Sequence, residues 1–293
     1  MQRTITLAFF ATIASSAMAA NLYSNQSSNV NQVALFASST SLNGTAAPEG
    51  GFFTELQSDG VALPNTIVNS VPGFAAYSGA GATAFRLADD FVVGAGGWAI
   101  DGIKVYAYAP TAITGGNMKI RSGRPGDPGS TVIWDSGALA GAAIGQNTSI
   151  TTNAGTGNLF RIFNSSPGTI SPNTSRQITE FTFSVPNLNL AAGTYWIDYN
   201  LDRGVDQVLT PSTTHQGVRG VAGANARQFI NILNVWTPNL NDTGLVPVPG
   251  GTAVATNVAQ ELPFIVTGQP VPEPATMTIL GIAALVALRR RKK

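Results

Sequence analysis

Four oxygen donors crowd into one short stretch of this chain: Asp198, Asn200, Asp202 and Asp206 in DYNLDRGVD. A calcium ion takes about six to eight oxygen ligands from a compact loop, and these side chains with nearby carbonyls would supply several. The run starts like an EF-hand, but its glycine, Gly204, falls one place late and the twelfth position is Leu209 instead of a glutamate. Two readings stand side by side: a calcium-holding loop of a β-sandwich, and a row of solvated polar side chains.

Other chemistry is thinly represented. The chain has one histidine, His215, in the polar stretch LTPSTTHQGVRG, and no G-x-S-x-G nucleophile elbow to pair with it. It has no cysteine, so thiol catalysis, disulfides and thiolate metal sites are excluded. Asp89 and Asp90 are adjacent in a strand-like run; successive strand residues point to opposite faces, so the two are not expected to grip one ion. Glycoside hydrolysis needs two facing carboxylates. Glu55, Asp90, Glu180 and Asp198 are available, but nothing in their spacing brings any two together. Trp134, beside Asp135, and Trp236, near Pro238 and Asn239, are candidates to stack on sugar rings; Trp98 and Trp196 read as core residues.

The elements that would position these groups are strands. Only 11% of the 293 residues are charged, while 44% are hydrophobic, and the remainder is rich in Gly, Ser, Thr and Asn, which weaken helix interiors. QITEFTFSV alternates cleanly, with Thr179, Phe181, Phe183 and Val185 opposite Ile178, Glu180, Thr182 and Ser184. GTYWIDYNL sets Tyr195, Ile197 and Tyr199 against Trp196, Asp198 and Asn200. In WAIDGIKVYAYA, Ile100, Ile103, Val105 and Ala107 form one face, with Tyr106 and Tyr108 on the other. AFRLADDFVV, NMKIRS, TVIWDS, NLFRIF, ARQFINIL and ELPFIVTG complete a set of strand candidates separated by turns such as GRPGDPGS. The fold expected is all-β: an antiparallel, jelly-roll-like β-sandwich over residues 84–268, with residues 21–83 as a loose N-terminal edge region.

The two ends differ from the body. MQRTITLAFFATIASSAMAA has a basic start, an apolar run over residues 5–13 and a small-residue exit at Ala17-Met18-Ala19. It reads as an export signal over residues 1–20, cleaved after Ala19 or Ala20. At the other end, Val271-Pro272-Glu273-Pro274 precedes an apolar run over residues 275–288, followed by Arg289, Arg290, Arg291, Lys292 and Lys293. As a helix that run spans ~21 Å, short of a ~30 Å hydrocarbon core, and the basic cluster would keep its end in the cytoplasm.

This order of parts over residues 269–293 resembles the PEP-CTERM sorting signal of exopolysaccharide-producing Gram-negative bacteria. The resemblance implies recognition by a membrane exosortase, transient residence in the inner membrane on a short transmembrane helix, cleavage near Pro272-Glu273-Pro274 and delivery to the cell surface or extracellular matrix. The body is also similar, through RLADDFVVGAGGWAIDGIKVYAY, IRSGRPGDPGSTVIW, LAAGTYWIDY and ELPFIVTG, to secreted bacterial β-sandwich modules of unassigned function.

Removing Arg3 and the five basic tail residues from the sixteen Lys and Arg leaves ten, and removing Glu273 from the fifteen acids leaves fourteen. The body therefore sits near −4, with no basic stripe, which argues against nucleic acid as a partner. The sum is an exported, non-enzymatic protein of structural or adhesive role, without cofactor unless calcium binds, and with exopolysaccharide as a candidate ligand. A carbohydrate-active enzyme using a carboxylate pair is the alternative. Ice binding is a further one, weakened by sparse TxT spacing.

Overall fold

A computed structural model describes residues 19–40, 44–54, 73–79, 84–108, 113–137, 144–161, 174–204, 208–213, 221–242, 245–246, 254–255 and 257–271. Its strands in chain order are β1 (Ala20–Ser24), β2 (Ala37–Ser38), β3 (Phe52–Thr54), β4 (Phe74–Ala75), β5 (Tyr77–Gly79), β6 (Phe85–Val93), β7 (Trp98–Tyr108) and β8 (Gly115–Ser122). There follow β9 (Thr131–Asp135), β10 (Gly145–Asn147), β11 (Ser149–Thr152), β12 (Gly155–Arg161), β13 (Gln177–Leu190), β14 (Gly193–Gly204) and β15 (Leu209–Thr210). The last are β16 (Arg227–Ile230), β17 (Val235–Trp236), β18 (Asn241–Asp242), β19 (Leu245–Val246), β20 (Val254–Ala255), β21 (Val258–Ala259) and β22 (Phe264–Pro270). The only helical pieces among the described residues are three single 3-10 turns.

Two large sheets face each other. The larger runs β1-β22-β7-β13-β12-β3-β2 and the smaller β17-β16-β6-β14-β8-β9. The main core lies between them. Leu87, Phe91, Met118, Ile120, Ile197 and Tyr199 come from the smaller sheet; Ile103, Val105, Phe181, Phe183, Phe264 and Val266 come from the larger. The alternation of QITEFTFSV and GTYWIDYNL is thus the alternation between core and opposite face. The sandwich is not wholly antiparallel. β3 pairs with β12, and β5 with β14, in parallel. Both are short strands reached by long connections, so no hairpin forces their direction.

The pattern of β7 needs a bulge, because Ile100 and Ile103 are three residues apart and strict alternation cannot send both inward. Opposite β22, Thr267 pairs with Gly102 and the next residue, Gly268, with Ile100, leaving Asp101 as the extra residue. The Thr267 hydroxyl donates to Asp101 Oδ1 at 2.6 Å. Gly268 has φ 155, and a Cβ there would come within 2.2 Å of the Ala99 carbonyl oxygen. Only glycine fits where the strands close over the bulge.

The outer face of the larger sheet is covered too. Tyr106, Tyr108, Leu159, Ile178 and Ile265 form a second apolar cluster with Val33, Leu35 and Ala37 from the N-terminal segment. Within the N-terminal segment, β1 and β2 lie at opposite sides of the sheet, and the side chains of Val33, Leu35 and Ala37 close a second core. The physical reason is the pair of tyrosines on the outward face of β7, too apolar to leave bare. Leu35 is 1% exposed. Leu35→Ala should therefore cost about 2–5 kcal/mol of stability, read by denaturant unfolding. A loss below about 1 kcal/mol would mean the segment is peripheral.

Candidate functional site

Asp198, Asn200 and Asp202 share the outer face of β14, the side away from Ile197, Tyr199 and Leu201, which are in the main core. Flanking strands β6 and β8 send two arginines over Asp198. Arg86 Nε bonds Asp198 Oδ1, and Arg121 Nε donates to Oδ2 at 2.7 Å. Arg86 Nη2 also donates to the Asp198 carbonyl at 3.0 Å. The Asp198 side chain is fully buried, and both its oxygens are committed to guanidinium groups. Asn200 Oδ1 accepts the Asn117 backbone N–H at 3.1 Å. Asp202 is half-buried, and Asp206 lies outside the described residues, as does His215. Of the row read as calcium ligands, Asp198 is engaged by two arginines across the sheet and Asn200 by a backbone N–H.

A different carboxyl cluster lies at the rim of the main core. Single carboxylate oxygens of Asp89, Asp90 and Glu261 lie within 4.8 Å of one another. Alternation does turn Asp89 inward with Leu87 and Phe91, and leaves Asp90 half-buried. Their adjacency on β6 does not keep these oxygens apart, and the pairing of β16 with β6 stops at Ala88, short of both acids. Asn25 bridges the two buried acids: its Nδ2 donates to Asp89 Oδ2 at 2.9 Å, to Glu261 Oε2 at 3.0 Å and to the Leu262 carbonyl at 2.9 Å. Tyr23 donates its hydroxyl to Asn25 Oδ1 at 2.9 Å, fixing the amide's orientation. Backbone N–H groups of Leu262, Asp90 and Asn225 complete the cage at 2.7, 2.9 and 2.6 Å.

Among the described residues, no Lys or Arg side chain forms an ion pair with Asp89 or Glu261. Burial, then the charge of Glu261, holds the Asp89 carboxyl well above the usual range, although the N–H donors of Leu262 and Asp90 pull the other way. Burial likewise raises Glu261. It raises the Tyr23 hydroxyl as well, aided by the charges of Asp89, Asp90 and Glu261. One amide nitrogen bonded to both acids places their oxygens close together, and the pair is built to retain a proton. The sequence held no signal for this site, since Asn25, Asp89 and Glu261 are dispersed along the chain.

Other expected site residues are spread apart. Trp134 packs half-buried against the main core. Trp236 is half-buried against Phe229, ring centroids 5.4 Å apart. Trp98 is half-buried and stacked on Phe91, and Trp196 is buried under Arg124, 5.8 Å from its ring. The GRPGDPGS loop is strapped to the β16–β17 region by two arginines. Arg124 Nη2 donates to the carbonyls of Asn225 and Pro238, and Arg227 Nη1 donates to that of Pro125 and pairs with Asp127 at 2.8 Å. Glu180 accepts the Tyr106 hydroxyl at 2.8 Å and lies 3.4 Å from Lys104. Among the described residues, Asp90, Glu180 and Asp198 thus occupy three separate environments; Glu55 lies outside them.

The residues expected to end the leader and the first residue of the C-terminal address adjoin one strand pair, β1 and β22. Ala19 and Ala20 are exposed, and Ala20 opens β1, paired with Gly268 of β22. β22 ends at Pro270, and Val271, also exposed, donates its N–H to the Gly97 carbonyl at 3.0 Å. Ala17, Pro272, Glu273, Pro274, Arg289, Arg290, Arg291 and the apolar run lie outside the described residues.

What this architecture presents is a β-rich exported module whose final strand leads directly into an address. Residues 270–292 match the PEP-CTERM protein-sorting motif, so the chain is an exosortase substrate, carried as an exported, membrane-anchored precursor. No curated protein and no solved structure matches the chain.

Two outcomes follow. Asp198→Asn leaves Arg86 and Arg121 facing a neutral group, and should cost about 3 kcal/mol in urea unfolding; a change under about 1 kcal/mol would mean the cluster is idle. For the carboxyl pair, folded pKa values raised above the unfolded ones mean the folded state holds protons that the unfolded chain has released. Their contribution is full below about pH 4 and is lost as pH rises through the raised values. Glu261→Gln removes one of the two charges. Its melting temperature, relative to the unaltered protein, should climb in the variant's favour as pH rises from acid to neutral; parallel curves would count against the shared proton.

Proposed function

We propose that the protein is a non-enzymatic structural or adhesive β-sandwich of the cell surface or extracellular matrix, released from its membrane tether by exosortase, with exopolysaccharide as its ligand. The observation that carries the reading is that Pro270, the last residue of β22, is also the first residue of the sorting motif. The address is joined to one rigid sandwich without an intervening module. The placement of the acids also favours it. Asp198 is held by two arginines, Glu180 by a tyrosine and a lysine, and Asp89 with Glu261 by an asparagine and backbone N–H groups. Each is tied into the scaffold, whereas carboxylates of a glycosidase face each other across a substrate groove.

The test is the intact mass and location of the mature protein in its host, followed by co-sedimentation of that mature protein with the host's purified exopolysaccharide. The expected result is a chain lacking residues 1–20 and the basic tail, found in the matrix fraction, that pellets with the polysaccharide. A chain retaining Arg289 to Lys293 in the inner membrane would overturn the delivery. A matrix protein that ignores the polysaccharide would leave a structural role without that ligand.

A further inference from the structure

We infer that one end of the sandwich, the end built from the β6–β7 turn, the β13–β14 turn and the exit of β22, is a membrane-facing surface that rests against the lipid headgroups while the precursor is tethered. The inference rests on the tethered-precursor reading and adds to it an orientation and a contact surface.

The three segments meet at that end. Leu190 and Pro270 both pair with Trp98, Gly193 pairs with Val93, and Val271 donates to the Gly97 carbonyl. Their sequences are VVGAGGW over residues 92–98, LAAGTY over residues 190–195, and Pro270-Val271. None contains a charged residue. Val92 is 57% exposed and Val271 38%; Ala95, Ala191 and Ala192 are exposed, and Trp98 is half-buried. The body as a whole is acidic, and an acidic surface is repelled by anionic lipid. An uncharged end with small and apolar side chains and a tryptophan at its edge is the part that approaches such a surface without that penalty.

The tether sets the distance. Four peptide steps separate Val271 from the apolar run that begins at residue 275, at most about 14 Å of chain. The other end of the chain leaves from the same place. Ala20 pairs with Gly268 near the exit of β22, so the leader read over residues 1–20 departs beside the tail. Ala20 and Val271, from which the two apolar ends continue, therefore lie at the same end of the sandwich. The opposite end of the sandwich is not apolar-free: Ile232 and Leu233 are 68% and 64% exposed beyond Ile230, which pairs with Phe85. Exposure of apolar groups alone does not choose the end. β6 runs for nine residues between the two, about 26 Å, and only one end carries the tether.

The absence of cysteine makes the test direct. Single variants Ala95→Cys, Leu233→Cys and Ala284→Cys of the tail-bearing precursor would be spin-labelled and reconstituted into vesicles of phosphatidylethanolamine and phosphatidylglycerol. Each label's collision rate with lipid-dissolved oxygen would be compared with that for a water-soluble nickel chelate. Ala284→Cys reports the tail. The expected result is oxygen-dominated collisions at 284, a shift toward oxygen at 95, and chelate-dominated collisions at 233. Equal chelate access at 95 and 233, with 284 in lipid, would overturn the surface while leaving the tether intact. Chelate access at all three would overturn the tether itself. Protection of the label at 95 that appears only when a membrane enzyme is co-reconstituted would assign the surface to protein instead of lipid, and would overturn the proposal as stated.

Discussion

The whole structure depends on the placement of β22. It is the last strand among the described residues, yet it lies inside the larger sheet, between β1 and β7. Phe264 and Val266 are fully buried in the main core, while Ile265 on its other face completes the second cluster. The sheet therefore cannot close until the end of the chain has docked, and β1, the beginning, docks on β22. A contact between sequence ends carries a large loop-closure cost, so it holds only because both faces of β22 bury apolar surface. The sorting motif begins on the final residue of this strand, which ties the address mechanically to the completed fold.

Without disulfides, the chain holds its loops by polar clasps. Arg124 and Arg227 bind carbonyls and a carboxylate across the GRPGDPGS loop, and Asn25 gathers β6 and the approach to β22 onto the segment after β1. These clasps share a physical logic: charged or amide donors are placed where several acceptors converge, so that burial does not leave polar atoms alone. The exceptions are informative. Arg161 is 5% exposed, and its Nε and Nη1 meet no acceptor. It lies over the Tyr108 ring at 5.0 Å, and burial, with Arg176 nearby, brings its pKa down to about 10. The paired carboxyls of Asp89 and Glu261 are the reverse case, acids kept in the interior by neutral donors.

Much of the scaffold was legible in the residues. The alternations of QITEFTFSV and GTYWIDYNL correspond to the two sheet faces, and the glycine- and proline-rich GRPGDPGS is the turn between β8 and β9. Ile100 and Ile103 read as one face although they are three residues apart, and they share the core because Asp101 is the extra residue of a bulge. The parallel pairings of β3 and β5 were not legible, because short strands carry no direction in their pattern. Nor was the second core: Val33, Leu35 and Ala37 look unremarkable in an Asn- and Ser-rich stretch until Tyr106 and Tyr108 are seen to need a cover.

The sequence by itself determined the β class, the strand faces and the sorting address, because each is written in local order: periodicity, turn residues, and a proline-bracketed glutamate before an apolar run and a basic cluster. Tertiary structure alone decided what the polar residues do. Asp198 reads as a metal ligand in its own loop and becomes an arginine partner because β6 and β8 flank β14. Asp89 reads as a neighbour of Asp90 and becomes a partner of Glu261, 172 positions away in the chain. Charge interactions depend on distance through space, and strand order, which local sequence does not encode, sets that distance.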